Sequence, residues 1–113
     1  MIGPRAGGGD PTANEASEAP DGGFGLISNA PNPFESETTI TFVLDEPGET
    51  RLEIVDVQGR LVRELVVGWT NSGQHQVVWD GSDGSGSNLP AGLYLVRMSV
   101  GSAGETMPVL KLR

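Results

Sequence analysis

TTITFVL, Thr38–Leu44, alternates Ile40, Phe42 and Leu44 with Thr39, Thr41 and Val43, and its β-branched excess suits a pleated strand with one face in a core. Glu46-Pro47-Gly48 then turns the chain. The same period of two recurs on either side. Residues 49–57 set Leu52 and Ile54 inward and Arg51 and Glu53 outward. Residues 74–80 put His75, Val77 and Trp79 on one face, and residues 93–100 do the same with Tyr94, Val96 and Met98. Residues 60–67 carry Leu61, Val62, Leu65 and Val66, which also fit a helical face. Gly59 and Gly68 bracket too short a run for a stable helix, so the spacing predicts a strand. Residues 25–30 and 105–113 complete the set, the last interrupted by Pro108, which cannot donate a ladder hydrogen bond and belongs on an edge. Seven short strands separated by turn signals predict an all-β fold, an immunoglobulin-like antiparallel β-sandwich.

The sandwich occupies residues 24–113. Residues 1–23 hold six Gly, three Pro, four acids and one Arg, with Met1 and Ile2 the only large apolar side chains, and are expected to form a flexible acidic linker. Composition agrees with this division. The 113 residues fit one domain. Gly 17 and Pro 8 amount to roughly twice average usage, which favours turns over long helices. A formal charge of −8 repels phosphate backbones, so nucleic acid is not an expected partner. No stretch approaches the roughly 20 apolar residues of a membrane-crossing helix, and residues 1–10 lack the apolar run of a signal peptide. The absence of cysteine removes disulfides, thiolate nucleophiles and Cys-ligated zinc.

Three motifs stand out. Asn29-Ala30-Pro31-Asn32-Pro33-Phe34 precedes the first long strand, Ile54-Val55-Asp56-Val57-Gln58-Gly59-Arg60 surrounds a hairpin, and Trp79-Asp80-Gly81 is followed by Pro90-Ala91-Gly92-Leu93-Tyr94. Each has a local physical reason. Pro31 and Asn32-Pro33 stiffen an entry turn and bias the preceding residues toward extended geometry. Asp56 can accept turn amides while Gly59 supplies a positive φ. Trp79 suits the core, and Tyr94 near a strand start needs a backbone partner for its hydroxyl, as in a tyrosine corner.

In order and spacing, the set resembles the C-terminal sorting domains of the type IX (Por) secretion system and the closely similar immunoglobulin-like domain of the flagellar hook-capping protein. The resemblance implies a non-enzymatic C-terminal address on an exported bacterial protein. An outer-membrane translocon would read it and a surface sortase-like protease would process it, placing the protein at the cell surface by way of the periplasm. Val109, Leu110, Lys111 and Leu112 would then be the recognition residues, on a terminal edge strand whose free backbone groups a partner strand could join. Asn32, Pro33, Asp56, Gly59, Trp79, Asp80, Gly92 and Tyr94 would be motif and structural positions. The alternatives are an accessory surface module that binds carbohydrate or protein through an exposed Trp69, and a hook-cap-type structural domain. The chain is expected to be a monomer.

Catalysis and cofactors find little support. His75 is the chain's one histidine and shares the inward parity of Val77 and Trp79, so a core or half-exposed strand position is expected in place of a triad. Asp80 and Asp83 lie in a Gly/Ser loop with no cleft implied for glycoside hydrolysis. The same loop offers oxygen ligands, and a calcium site on Asp80, Asp83 and Asn88 is the one cofactor reading it permits. An EF-hand counted from Asp83 fails, because Asn88 stands where Gly is needed and Tyr94 where Glu is needed. Nothing in the spacing singles out an isopeptide partner for Lys111.

Overall fold

The structure is a computed structural model that describes residues 23–113; the linker expected over residues 1–23 otherwise lies outside the described residues. Seven strands follow in chain order: β1 Phe24–Ala30, β2 Thr38–Leu44, β3 Gly48–Asp56, β4 Leu61–Thr70, β5 Gly73–Trp79, β6 Gly92–Val100 and β7 Ala103–Lys111. They form two antiparallel sheets, ordered β1-β2-β5 and β4-β3-β6-β7, as the period-two patterns predict. No helix is present among the described residues.

The parity read from sequence holds in the core. Ile40, Phe42 and Leu44 of β2 face Leu52 and Ile54 of β3 and Tyr94, Val96 and Met98 of β6, with Phe24, Phe34, Trp79 and Val109 completing the cluster. Each is buried, and a side chain of this size contributes on the order of 1.5–3 kcal/mol by leaving water.

The Arg60 segment is a strand, and it is longer than predicted. Gly68 does not end it, because β3 continues opposite: Thr50 pairs with Gly68, Glu49 with Trp69 and Gly48 with Thr70. An edge strand tolerates a glycine when its partner still supplies the ladder. Trp69 therefore stands inside the alternation, on the solvent face of β4, and is 66% exposed. That solvent face carries an ion lattice which single-strand parity could not reveal. Glu53 accepts from Arg97 at 2.9 Å and pairs with Arg51 at 3.4 Å, and Arg51 reaches Glu64 at 2.6 Å.

Antiparallel strands and the loops between them divide the sandwich into two ends. Residues 44–48, 70–73 and 100–103 turn at one end. The other end collects residues 30–38, 56–61, 79–92 and the close of β7. All three sequence motifs lie at that second end.

Candidate functional site

The motif-bearing end is built from the residues after β1. The expected extended bias is not what the segment shows: residues 31–33 bend, with cis peptide bonds before both Pro31 and Pro33, and Thr38 fixes the return by donating its hydroxyl to the Pro31 carbonyl at 2.8 Å. The segment then lies along the outer side of β7. Asn29 donates its side-chain amide to the Pro108 carbonyl at 3.1 Å, and Asn32 accepts from the Leu110 amide at 2.9 Å. Phe34 donates its amide to the Leu110 carbonyl at 3.0 Å and accepts from the Leu112 amide at 2.8 Å, forming a short parallel bridge with Lys111. Further up the same side, Glu105 accepts the Leu26 amide at 2.6 Å.

These bonds correct the expectation of an open terminal edge. In an antiparallel ladder, residues facing the partner alternate with residues facing away. The outward positions near the end are Pro108 and Leu110 of β7 and Leu112 just past it, and the backbone of each is engaged by residues 29–34, which form a strap along this edge. Pro108 does sit at the edge, where its missing amide costs no ladder bond. The four candidate recognition residues divide by face. Val109 and Lys111 are buried, whereas Leu110 and Leu112 are exposed.

Burial of Lys111 was not legible in the sequence. Its stem runs past Gly81 toward Phe34, and its Nζ has no hydrogen-bond partner among the described residues. Gly81 is required by that passage. At φ +80° it adopts a conformation costly for other residues, and a Cβ would lie 2.5 Å from Lys111 Cε. The Trp-Asp-Gly motif is thus a packing motif. Trp79 is fully buried, donates its indole N–H to the Ser82 carbonyl at 2.9 Å, and packs on Phe34 and Tyr94 with ring centroids 5.4 and 5.7 Å away.

The hairpin motif closes the same end. Asp56 accepts the Gln58 and Arg60 amides, each at 2.9 Å, and pairs with the Arg60 guanidinium at 2.8 Å. The Arg60 amide is the largest of the hydrogen bonds and charges that hold the Asp56 carboxyl below its ordinary value. Gly59 supplies the left-handed turn residue at φ +87°. Opposite Asp56, Tyr94 donates its hydroxyl to the Pro90 carbonyl at 2.7 Å, the tyrosine corner expected from sequence. Burial, with a smaller contribution from the Asp56 charge, pushes the Tyr94 hydroxyl pKa up. Gly92 opens β6 across from Lys111.

The acidic loop spends its carboxylates on itself. Asp80 accepts the Ser82 hydroxyl and amide at 2.5 and 3.0 Å and lies 3.6 Å from the Arg63 guanidinium. Asp83 accepts the Ser85 amide and hydroxyl and the Ser87 amide. Both carboxyls are held below their ordinary value, chiefly by the Ser82 and Ser85 hydroxyls respectively. Asn88 bridges back to Ser82. Asp80, Asp83 and Asn88 thus serve the turn, with a guanidinium beside Asp80, and no group of three or more His, Cys, Asp or Glu converges among the described residues. His75 stacks on Phe42 at 5.2 Å with Nε2 2.8 Å from the Asn71 carbonyl oxygen, and among the described residues no serine or acid hydrogen-bonds to it.

Comparison with known proteins places this geometry. Basal-body rod modification protein FlgD of Salmonella typhimurium is 31% identical over 73 residues, covering 64% of this chain and 32% of that protein; FlgD of Salmonella typhi matches equally. The chain thus spans about a third of the length of these curated relatives. Among solved structures, FlgD from Xanthomonas campestris, described for hook capping, superposes with a TM-score of 0.53 at 22% identity over 77% of this chain and 64% of its own. From Porphyromonas gingivalis, PorZ, a surface component of the type-IX secretion system, gives 0.55 at 22% identity, covering 79% of this chain and 12% of that one. PorU from the same organism gives 0.63 at 22% identity, covering 79% and 9%. At such identities the structural likenesses establish a shared immunoglobulin-like fold. The family model of the FlgD Ig-like domain matches residues 28–104, more than half of the sequence, and the chain belongs to that family.

Proposed function

We propose that this domain is a non-enzymatic structural module of the hook-cap type, an immunoglobulin-like body that works within a larger bacterial protein by packing against its neighbours. The observation that carries this reading is the family match over residues 28–104, together with relatives named for basal-body rod modification and hook capping. The geometry supports it. Asp56, Asp80 and Asp83 are turn-forming carboxylates, and the one histidine is a stacking partner. A chimera tests the proposal: residues 24–113 replace the matching third of the Salmonella basal-body rod modification protein in a strain lacking it. Hook assembly in that strain is the expected result, and a folded, stably produced chimera that leaves hooks uncapped would count against it.

A second reading is the sorting domain, with a secretion translocon and a surface protease as partners and the cell surface as destination. Leu110 and Leu112, exposed beside the strap, favour it. Because the outward backbone of β7 is already engaged, recognition in this reading runs through those two side chains instead of strand addition. Residues 24–113 fused to a periplasmic reporter should then reach the surface of a bacterium that has this system, and Leu110→Ser with Leu112→Ser should hold the folded fusion in the periplasm. Surface delivery of both fusions, or of neither, would remove this reading.

A further inference from the structure

The sandwich has four sheet edges, and three of them are guarded. β1 is bulged between Leu26 and Ser28, and its Leu26 amide is taken by Glu105. β7 carries Pro108 and the strap. β4 has two register irregularities against β3, the charged pair Arg63 and Glu64, and a loop bond from the Gly84 amide to the Val62 carbonyl. Bulges, prolines, charges and covering loops are the means by which edge strands avoid adding partners. The fourth edge, β5, has none of them among the described residues. GQHQVVW contains no proline and no Asp, Glu, Lys or Arg, and its register with β2 runs unbroken from Gly73 to Trp79.

The direction of the free backbone groups follows from the ladder. The Asp45 amide donates to the Gly23 carbonyl, so Thr41 and Val43 turn their backbone groups to β1, and Ile40, Phe42 and Leu44 turn theirs to β5. Their partners Val77, His75 and Gly73 face back toward β2. Gln74, Gln76 and Val78 are left pointing away from the sheet, and no described residue outside β2 hydrogen-bonds to their backbone.

We infer that β5 is a self-association edge, at which two copies of this chain pair β5 with β5 antiparallel about a two-fold axis at Gln76 to form one six-stranded sheet. In that register Gln76 meets its own copy, and Gln74 meets Val78 of the second copy. All three outward residues thereby become hydrogen-bonded positions of a regular ladder. The side chains fit as well. Val78, 51% exposed in the single chain, gains a neighbour on the outer face, and the two Gln76 amides lie side by side. A chain with a formal charge of −8 would repel its copy across an acidic edge, and β5 contributes no acid to such a contact. The monomer expected from sequence becomes one partner of a weak, concentration-dependent pair.

Sedimentation equilibrium on the full chain between roughly 10 μM and 1 mM tests this. The natural chain should show a dimer fraction that rises with concentration. Gln76→Pro gives β5 the device that Pro108 gives β7, and should abolish the dimer with the fold intact by circular dichroism. Gln76→Lys and Gln76→Glu should each weaken association by roughly up to fivefold, since like charges then face one another across the axis, and mixing the two should restore it. A chain that stays monomeric at the highest concentration would overturn the inference. So would a folded Gln76→Pro variant that still dimerises, or Lys and Glu variants whose mixture associates no better than either alone.

Discussion

The two ends of the sandwich have different constructions. At one end residues 44–48, 70–73 and 100–103 reverse the chain through short turns, and the tryptophan found there, Trp69, stands in solvent. At the other end the Asn-Pro-Phe strap, the Asp56 hairpin, the Trp79-Asp80-Gly81 corner and the Tyr94 corner interlock around a buried Trp79 and a buried Lys111. Family motifs cluster at the second end because irregular chain there must satisfy backbone groups that a sheet would otherwise pair, and only particular side chains do so. The plain end needs only turn formers. Motif density in this chain therefore marks where the fold is difficult to close, without requiring that chemistry occur there.

Mutations should separate the two ends by the size of their effect. Trp79→Ala should cost about 3–5 kcal/mol, through lost packing on Phe34 and Tyr94 and loss of the indole hydrogen bond to the Ser82 carbonyl, as read by denaturant melts. Gly81→Ala should follow at about 1–3 kcal/mol, because it combines an unfavourable φ with overlap on the Lys111 stem. Asn32→Ala should cost about 1–2 kcal/mol by leaving the Leu110 amide without its acceptor, and should speed exchange at that amide specifically.

Acid should act on the motif end through Asp56. Its carboxyl titrates below its ordinary value of 3.8 in the folded chain, so its contribution is present above that value and is lost as the pH falls through the lower, folded one. Stability measured against pH should therefore drop below about pH 4, and Asp56→Asn should flatten that part of the curve. The smallest effect belongs to the plain end. Trp69→Ala should change stability by no more than about 0.5 kcal/mol, since most of that side chain is already in water. A loss comparable to that of Trp79 would erase the distinction between the ends.

What the sequence made legible follows from periodicity and local turn chemistry. Ile40, Phe42, Trp79, Tyr94, Val96 and Met98 were placed inward by alternation alone, and Asp56 and Tyr94 found the backbone partners that their types and positions anticipate. Three features depended on contacts between distant segments. The strap covers β7 across nearly eighty positions of sequence. Lys111 is buried because Gly81 leaves room for its stem, a relation no local pattern encodes. β4 runs past Gly68 because β3 is present opposite. The unguarded character of β5 likewise emerges only when all four edges are known.

Site-resolved amide exchange on the natural chain, at a concentration low enough to keep it monomeric, tests most directly the claim that the strap seals the terminal edge while β5 stays open. Leu110 and Leu112 donate to Asn32 and Phe34, whereas Gln74, Gln76 and Val78 face outward from β5. The account predicts slow exchange at the first two amides and fast exchange at the other three. Equally fast exchange at Leu110 and Leu112, or strong protection along the outward positions of β5 in the monomer, would contradict it.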